Sequence, residues 1–334
     1  MISLKEFLYG NTLNEGGNVF RNTDHDTEDI NLENIEPTLK SFVGALSTIF
    51  PQRKSTFINF LNKENWLGST GKKPKSGDVD LAYSMGNFLD GGNPKLASWG
   101  INKEEFTTQY AKFAKRARTS TETQLKVKTM LHFIVLTINK AGTDLFASAK
   151  AIGGGALHLS YPVYNGQGEK SDKRAQFDID SGDVEWLVFR YRSDSPTNSK
   201  TNNVKGLHRG QLLLALFSVK GYTFGAIHGL VDKTTRKVVA PTPNDSIKLM
   251  NKEYGLELTA DIVNNYEKLS PYLLQNLSTE DYDEVMTVYL KALDFTRADI
   301  PWDLQDYWIA NQEKLGLKGK FLPADSKLIQ YQNI

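Results

Sequence analysis

The order in which apolar periodicities run along the chain predicts an α+β fold: helical spacing first, then short strand-like runs interleaved with helices, then helical spacing again. Two further observations narrow the prediction. Of 334 residues, 40% are hydrophobic and 24% charged, the balance of a folded chain with a sizeable core. At about 150 residues per domain this leaves room for roughly two domains. No repeat with a period of about 20 to 50 residues is visible, which argues against solenoids and propellers.

Taken in order, the polar stretch Gly10 to Glu33, rich in Asn, Gly, Thr and Asp, reads as an irregular surface segment. From Ile35 to Asn62 the residues Leu39, Phe42, Val43, Leu46, Ile49, Phe50, Phe57 and Leu61 recur at helical spacing, giving two helices split at Pro51. Trp66 and Leu67 lead into a Gly-Ser turn, a basic loop with Lys72, Lys73 and Lys75, and a strand-like Val79-Asp80-Leu81. Asn102 to Ile152 reads as mainly helical, ended by Gly153, Gly154 and Gly155. Ala156 to Tyr164 alternates, and after the polar link Asn165 to Lys173 the runs Ala175 to Ile179 and Val184 to Tyr191 read as further strands of a β-meander. Gly206 to Lys220, with Leu212 to Phe217 at its centre, has the length of a buried helix. Beyond Pro241 and Pro243, helical patterns cover Asp261 to Leu274, Asp281 to Leu293 and Pro301 to Leu315. The expected division is an irregular segment 1–34, a mixed core 35–240 with a helical insertion at about 102–152, and a helical C-terminal domain 241–334.

Lys plus Arg (40) nearly cancels Asp plus Glu (39), so any polyanion must be held by a local patch. Lys112, Lys115, Arg116 and Arg118 form one candidate patch, with a solvated helix face as the bland alternative. The absence of cysteine excludes a disulfide scaffold, a thiol nucleophile, thiolate zinc sites and iron-sulfur clusters. The five histidines lack a ligand spacing such as His-x-x-x-His, so zinc is not expected, and no Gly-x-Ser-x-Gly elbow is present. Trp186, Phe189 and Tyr191 read as sheet core rather than as a base-stacking platform. Leu131 to Ile138, the longest apolar stretch, falls far short of the roughly 20 residues that cross a bilayer. With no signal-like N-terminus, the expectation is a cytoplasmic protein without a membrane partner.

Asp-x-Asp occurs four times, as Asp24/Asp26, Asp78/Asp80, Asp178/Asp180 and Asp281/Asp283. Residues two apart share a face on a strand and diverge on a helix, so only the pairs in strand-like context, Asp78/Asp80 and Asp178/Asp180, are informative. The lead-in Gly68-Ser69-Thr70-Gly71-Lys72-Lys73-Pro74-Lys75-Ser76-Gly77 precedes the first of them. Gly68 removes a side chain so that backbone N–H groups can approach a phosphate, and Ser69 adds a hydroxyl donor. Phosphate donors beside hard carboxylate oxygens describe a Mg²⁺-nucleotide site. A P-loop is excluded because Lys73 stands where its second glycine belongs.

Gly68-Ser69, a short loop and Asp78-Val79-Asp80 together resemble the nucleotidyltransferases of the DNA polymerase beta superfamily, and Ser-Gly-Asp-Val-Asp-Leu is similar to phage-encoded members. The resemblance covers about Lys40 to Phe217 and leaves the C-terminal third to its helical pattern. It implies a third carboxylate on a later strand, for which Arg174-Ala175-Gln176-Phe177-Asp178-Ile179-Asp180 is the fitting segment, with Asp178 favoured and Asp180 its competitor. It also implies two Mg²⁺ ions on Asp78, Asp80 and Asp178, and a triphosphate of ATP or another NTP at Gly68 and Ser69, with Lys205 and Arg209 reaching the same phosphates. The implied reaction transfers a nucleoside monophosphate to a hydroxyl, such as an RNA or tRNA 3′ end, and releases pyrophosphate. Nucleotidylation of a protein, second-messenger synthesis and a catalytically dead binding module remain alternatives. For a phage-encoded protein the location would be the host cytoplasm.

Overall fold

The computed structural model describes residues 19–116, 121–148, 155–191, 204, 206–225, 229–296 and 298–316. It divides into two compact units, Met1–Val188 and Phe189–Ile334.

The first unit is an α+β layer. After an irregular stretch come β1 (Ile30–Asn31), α1 (Leu32–Ile49), the short α2 (Lys54–Phe57), β2 (Lys75–Ser76), β3 (Asp78–Ser84) and the small hairpin β4 (Leu89–Asp90) and β5 (Asn93–Pro94). Next are α3 (Lys103–Arg116), α4 (Glu122–Lys140), β6 (Phe146–Ser148), β7 (Ala156–Tyr164), β8 (Lys170–Gly182) and α5 (Val184–Tyr191), within which the chain passes to the second unit. A four-stranded sheet in the order β3-β8-β7-β6 is its centre, with β3 parallel to β8 and the other pairs antiparallel.

The alternation of side chains divides this sheet into two different faces. Val79, Leu81, Leu157, Leu159, Ala175, Phe177 and Ile179 point into the core, where they join Ile35, Leu39 and Phe42 of α1 and Val127, Leu131 and Ile134 of α4. The buried residues of α1 recur at three- and four-residue spacing, so one stripe of the helix covers the sheet. The other face carries Asp78, Asp80, His158, Ser160, Gln176 and Asp178, and the register aligns Asp80 with Asp178 and Asp178 with His158 across three neighbouring strands.

Three expectations change here. The insertion at about 102–152 is not a separate helical subdomain, because α4 supplies part of the common core and β6 adds an edge strand. Its helix closes at Gly142 in the left-handed conformation (φ 65°), a backbone glycine adopts without strain, rather than at the later glycines, of which Gly153 and Gly154 lie outside the described residues. Val184 to Tyr191 is a helix and not a strand. An eight-residue apolar run has no decisive period, and Asp183 settles it by accepting from the Trp186 amide at 3.1 Å as an N-terminal cap. Residues 19–29 are irregular as expected but not peripheral: Phe20 is buried, and the Glu28 amide donates to the Arg174 carbonyl at 2.8 Å.

The second unit holds α6 (Gly206–Val219), a three-stranded sheet of β9 (Tyr222–Phe224), β10 (Leu230–Asp232) and β11 (Val238–Ala240), and then α7 (Pro243–Tyr254), α8 (Ala260–Val263), α9 (Tyr266–Asn276), α10 (Thr279–Thr296) and α11 (Gln305–Leu315). Helix α6 is buried nearly all round, as its Leu212 to Phe217 run predicts. Thr242 caps α7 by accepting from the Asp245 amide, with Pro243 in the first turn. The helical C-terminal region expected from residue 241 is present through Gly316, but it shares its unit with α6 and the small sheet rather than starting a new one at 241. Among the described residues no helix is long and apolar enough to cross a membrane.

Phe42 stacks on Phe177 with ring centroids 4.4 Å apart and planes 13° from parallel, directly behind Asp178 in the chain. Phe42→Ala should cost about 3 to 5 kcal/mol in chemical denaturation, the penalty of a large core truncation. A loss below about 1 kcal/mol would show that α1 does not clamp the sheet.

Candidate metal centre

Asp78 and Asp80 begin β3, and Asp178 lies in the middle of β8. Parallel pairing sets Asp80 beside Asp178, and the pleat turns Asp78 to the same face. Each of the three offers a carboxylate oxygen, and these atoms lie within 4.8 Å of one another.

The turn before β3 is tied to it at several points. The Leu67 amide donates to the Asp80 carbonyl at 2.9 Å, and the Asp80 amide donates to Thr70 Oγ1 at 2.8 Å. Gly68 has φ 56°, and a Cβ placed there would lie 2.7 Å from Asp80 Oδ2. Any side chain at position 68 would therefore be strained and would push the carboxylate aside, so the Gly-Ser turn is seated against the acids.

Asp178 is 8% exposed and held on two sides. His158 Nδ1 lies 2.8 Å from its Oδ1, and Gln176 Nε2 donates to both oxygens at 3.0 and 3.1 Å. Burial, then the charge of Asp178, pushes the Asp78 carboxyl up to about 6, with Lys73 opposing the shift and Asp29 adding to it. Three crowded carboxylates form a repulsive set that a divalent cation would neutralise, and oxygen-only donors suit Mg²⁺ or Mn²⁺. The residues present thus fit the metal that the sequence motif implies.

The other expected residues fall as follows. Asp180 shares the face of β8 but pairs with Ala82 and Ala156, one step beyond the cluster, so the register selects Asp178 of the two. Asp281 pairs with Lys220 and Asp283 accepts from Tyr307, both on α10, while Asp26 caps a local turn through the amides of Asn22 and Thr27. Lys112, Lys115 and Arg116 lie exposed on α3, and Arg118 is outside the described residues. Lys205 also lies outside them.

Arg209, expected at the triphosphate, is fully buried in the second unit. Its Nε donates to the Val263 carbonyl at 2.8 Å, Nη1 to the carbonyls of Phe189 and Arg190, and Nη2 to Asn264 Oδ1 at 3.2 Å. A guanidinium that is fully buried and bonded through all three nitrogens to interior oxygens is a structural fork rather than a group presented to a phosphate.

Sequence reasoning did not single out His158, Gln176 and Thr70. Gln176 had a readable signal, because it lies two residues before Asp178 and so shares its face; His158 had none, since its approach depends on the β7–β8 register. Compared with known proteins, the chain matches no protein-family model and no curated protein.

The raised Asp78 carboxyl makes a signed prediction. A group whose folded pKa, about 6, exceeds the ordinary 3.8 binds its proton more tightly when folded, so stability without metal falls as pH climbs from 3.8 to about 6 and stays reduced above it. At pH 7 Asp78→Asn should therefore raise the metal-free unfolding free energy, by on the order of 1 to 3 kcal/mol, and flatten that pH dependence. A destabilised, metal-free Asp78→Asn protein at pH 7 would contradict the repulsive cluster.

Proposed function

We propose that the chain is a Mg²⁺-dependent nucleotidyltransferase of the DNA polymerase beta type, transferring a nucleoside monophosphate from an NTP to a hydroxyl, with an RNA or tRNA 3′ end as the acceptor. The observation that carries this reading is the meeting of Asp78, Asp80 and Asp178 on two parallel strands with the Gly68-Ser69 turn packed against Asp80. It is the arrangement in which a carboxylate-bound cation and a phosphate-binding turn would address one triphosphate.

Asp78, Asp80 and Asp178 would hold Mg²⁺, which when bound acidifies an attacking hydroxyl and stabilises charge on the phosphates. Backbone amides of the Gly68-Ser69 turn and the Ser69 hydroxyl would bind the triphosphate. Lys73, near enough to Asp78 to oppose its upward pKa shift, would add positive charge on the phosphate side. Asp178, held by His158 and Gln176, would face the acceptor hydroxyl, in-line with departure of pyrophosphate.

A polynucleotide acceptor is favoured by the α3–α4 surface. Lys112, Lys115 and Arg116 are exposed on α3, and Lys128 of α4 sits over the Phe113 ring at 5.0 Å, which gathers cations and an aromatic ring on one helix pair. Among the described residues no carboxylate lies within ion-pair distance of these four.

Incubation with each labelled NTP and Mg²⁺, with and without bulk RNA, should place label on RNA. Asp78→Asn and Asp80→Asn should each abolish transfer, and unchanged turnover in either would sink the proposal. Asp178→Asn should lose turnover yet keep Mg²⁺-dependent NTP binding within about tenfold, about 1.4 kcal/mol, whereas Asp180→Asn should retain much of its rate. The reverse order of rates would assign the acceptor side to Asp180. Changing Lys112, Lys115 and Arg116 together to Ala should flatten the salt dependence of polynucleotide binding by roughly 0.7 to 0.9 in log-log slope per lost phosphate contact. An unaltered slope would point to a protein or small-molecule acceptor.

A further inference from the structure

The face of the sheet that carries the acids is also the face on which residues 19–29 lie. The His25 ring stacks on Phe146 of β6 at 3.8 Å, and its carbonyl accepts from Ser160 Oγ of β7 at 2.9 Å. The Val19 amide donates to Gln176 Oε1 of β8 at 2.8 Å. This last bond bears directly on the site. A glutamine amide fits its density of neighbours in two orientations, related by a flip that exchanges donor and acceptor. Gln176 is 1% exposed, so water cannot choose between them. An N–H from Val19 can only meet Oε1, which turns Nε2 toward Asp178, where it donates to both carboxylate oxygens. In the flipped orientation a carbonyl oxygen would face the carboxylate and an N–H would face another N–H, two repulsive contacts in place of three hydrogen bonds.

We propose that Gln176 is the positioning residue for Asp178 and that the N-terminal segment 19–29 acts as a strap that sets it, through the Val19 amide. This rests on the reading of Asp78, Asp80 and Asp178 as a metal centre. A ligand's outer hydrogen-bond partner fixes the plane in which it presents its oxygens, and losing such a partner weakens metal binding by about 10- to 100-fold. In this chain the partner is in turn fixed from a segment about 160 positions away in sequence, so docking of the strap and metal affinity are coupled.

The test titrates the metal-free full chain with Mn²⁺, following free and bound Mn²⁺ by electron paramagnetic resonance. Gln176→Leu removes the donor to Asp178 at similar volume, and Val19→Pro removes the strap's N–H while also fixing φ at that residue, so it is read beside Val19→Ala, which keeps the N–H and controls for the lost side chain. Gln176→Leu is expected to weaken Mn²⁺ binding about 10-fold or more, Val19→Pro to weaken it in the same direction, and the double variant to bind no more weakly than Gln176→Leu alone. The zero-field splitting of bound Mn²⁺, which reports ligand geometry and not fold stability, should change alike in both single variants. Wild-type affinity and splitting in a folded Gln176→Leu protein would overturn the proposal, as would additive losses in the double variant. Should Gln176→Leu not fold, Val19→Pro decides alone, and wild-type binding by it overturns the strap. If the wild-type chain binds no Mn²⁺, the metal-centre reading falls and this inference with it; loss of binding in Asp80→Asn beside retained binding in Gln176→Leu would sink the inference alone.

Discussion

The parallel pairing of Asp78–Ser84 with Lys170–Gly182 is the constraint on which the first unit depends. Neighbouring strands lie about 4.8 Å apart, so one register brings Asp80 alongside Asp178 while Val79, Leu81, Phe177 and Ile179 face the helices. A slip of one residue would turn Phe177 to the acid face and drive Asp178 into the apolar layer. The core thus locks the site: burial of Phe177 under Phe42 is what holds the carboxylate next to it in place. Packing energy on one face of the sheet is converted into geometry on the other.

That geometry works against folding in the absence of a counter-charge. Burial and a neighbouring carboxylate both raise Asp78, a combination that favours its neutral form. Donors from His158 and Gln176 meet Asp178, and Lys73 offsets part of the field at Asp78. Gly68 contributes by having no side chain where one would collide with Asp80. The cluster is locally unfavourable yet supported by these groups, so its cost is compensated by the packing elsewhere in the fold.

In the second unit polar groups are used in the opposite way. Arg209 and His208 are fully buried on α6, and their nitrogens meet carbonyls of the same unit: Val263, Phe189 and Arg190 for the arginine, Asp299 for the histidine. Such bonds tie both side chains to carbonyls of the same unit and leave them facing no solvent. A basic residue at a helix start therefore carries little information about phosphate until its burial is known.

The sequence by itself determined the α+β class, α1 from its repeating apolar stripe, α6 from its leucine run, and the placing of Asp78 and Asp80 together on one face, since a strand turns residues two apart to the same side. Those features are local and follow from the period of side chains along one element. Tertiary structure alone decided the rest. The register of β8 chose Asp178 over Asp180, a difference of one pleat repeat that no local pattern encodes. Asp183, accepting from the Trp186 amide, made Val184 to Tyr191 a helix where an eight-residue apolar run allowed either form. His158 reached Asp178 because β7 lies between β6 and β8, and Val19 reached Gln176 from far along the chain. Contacts between elements depend on which faces are buried together, and that is settled by the packing of the whole unit rather than by any stretch of its sequence.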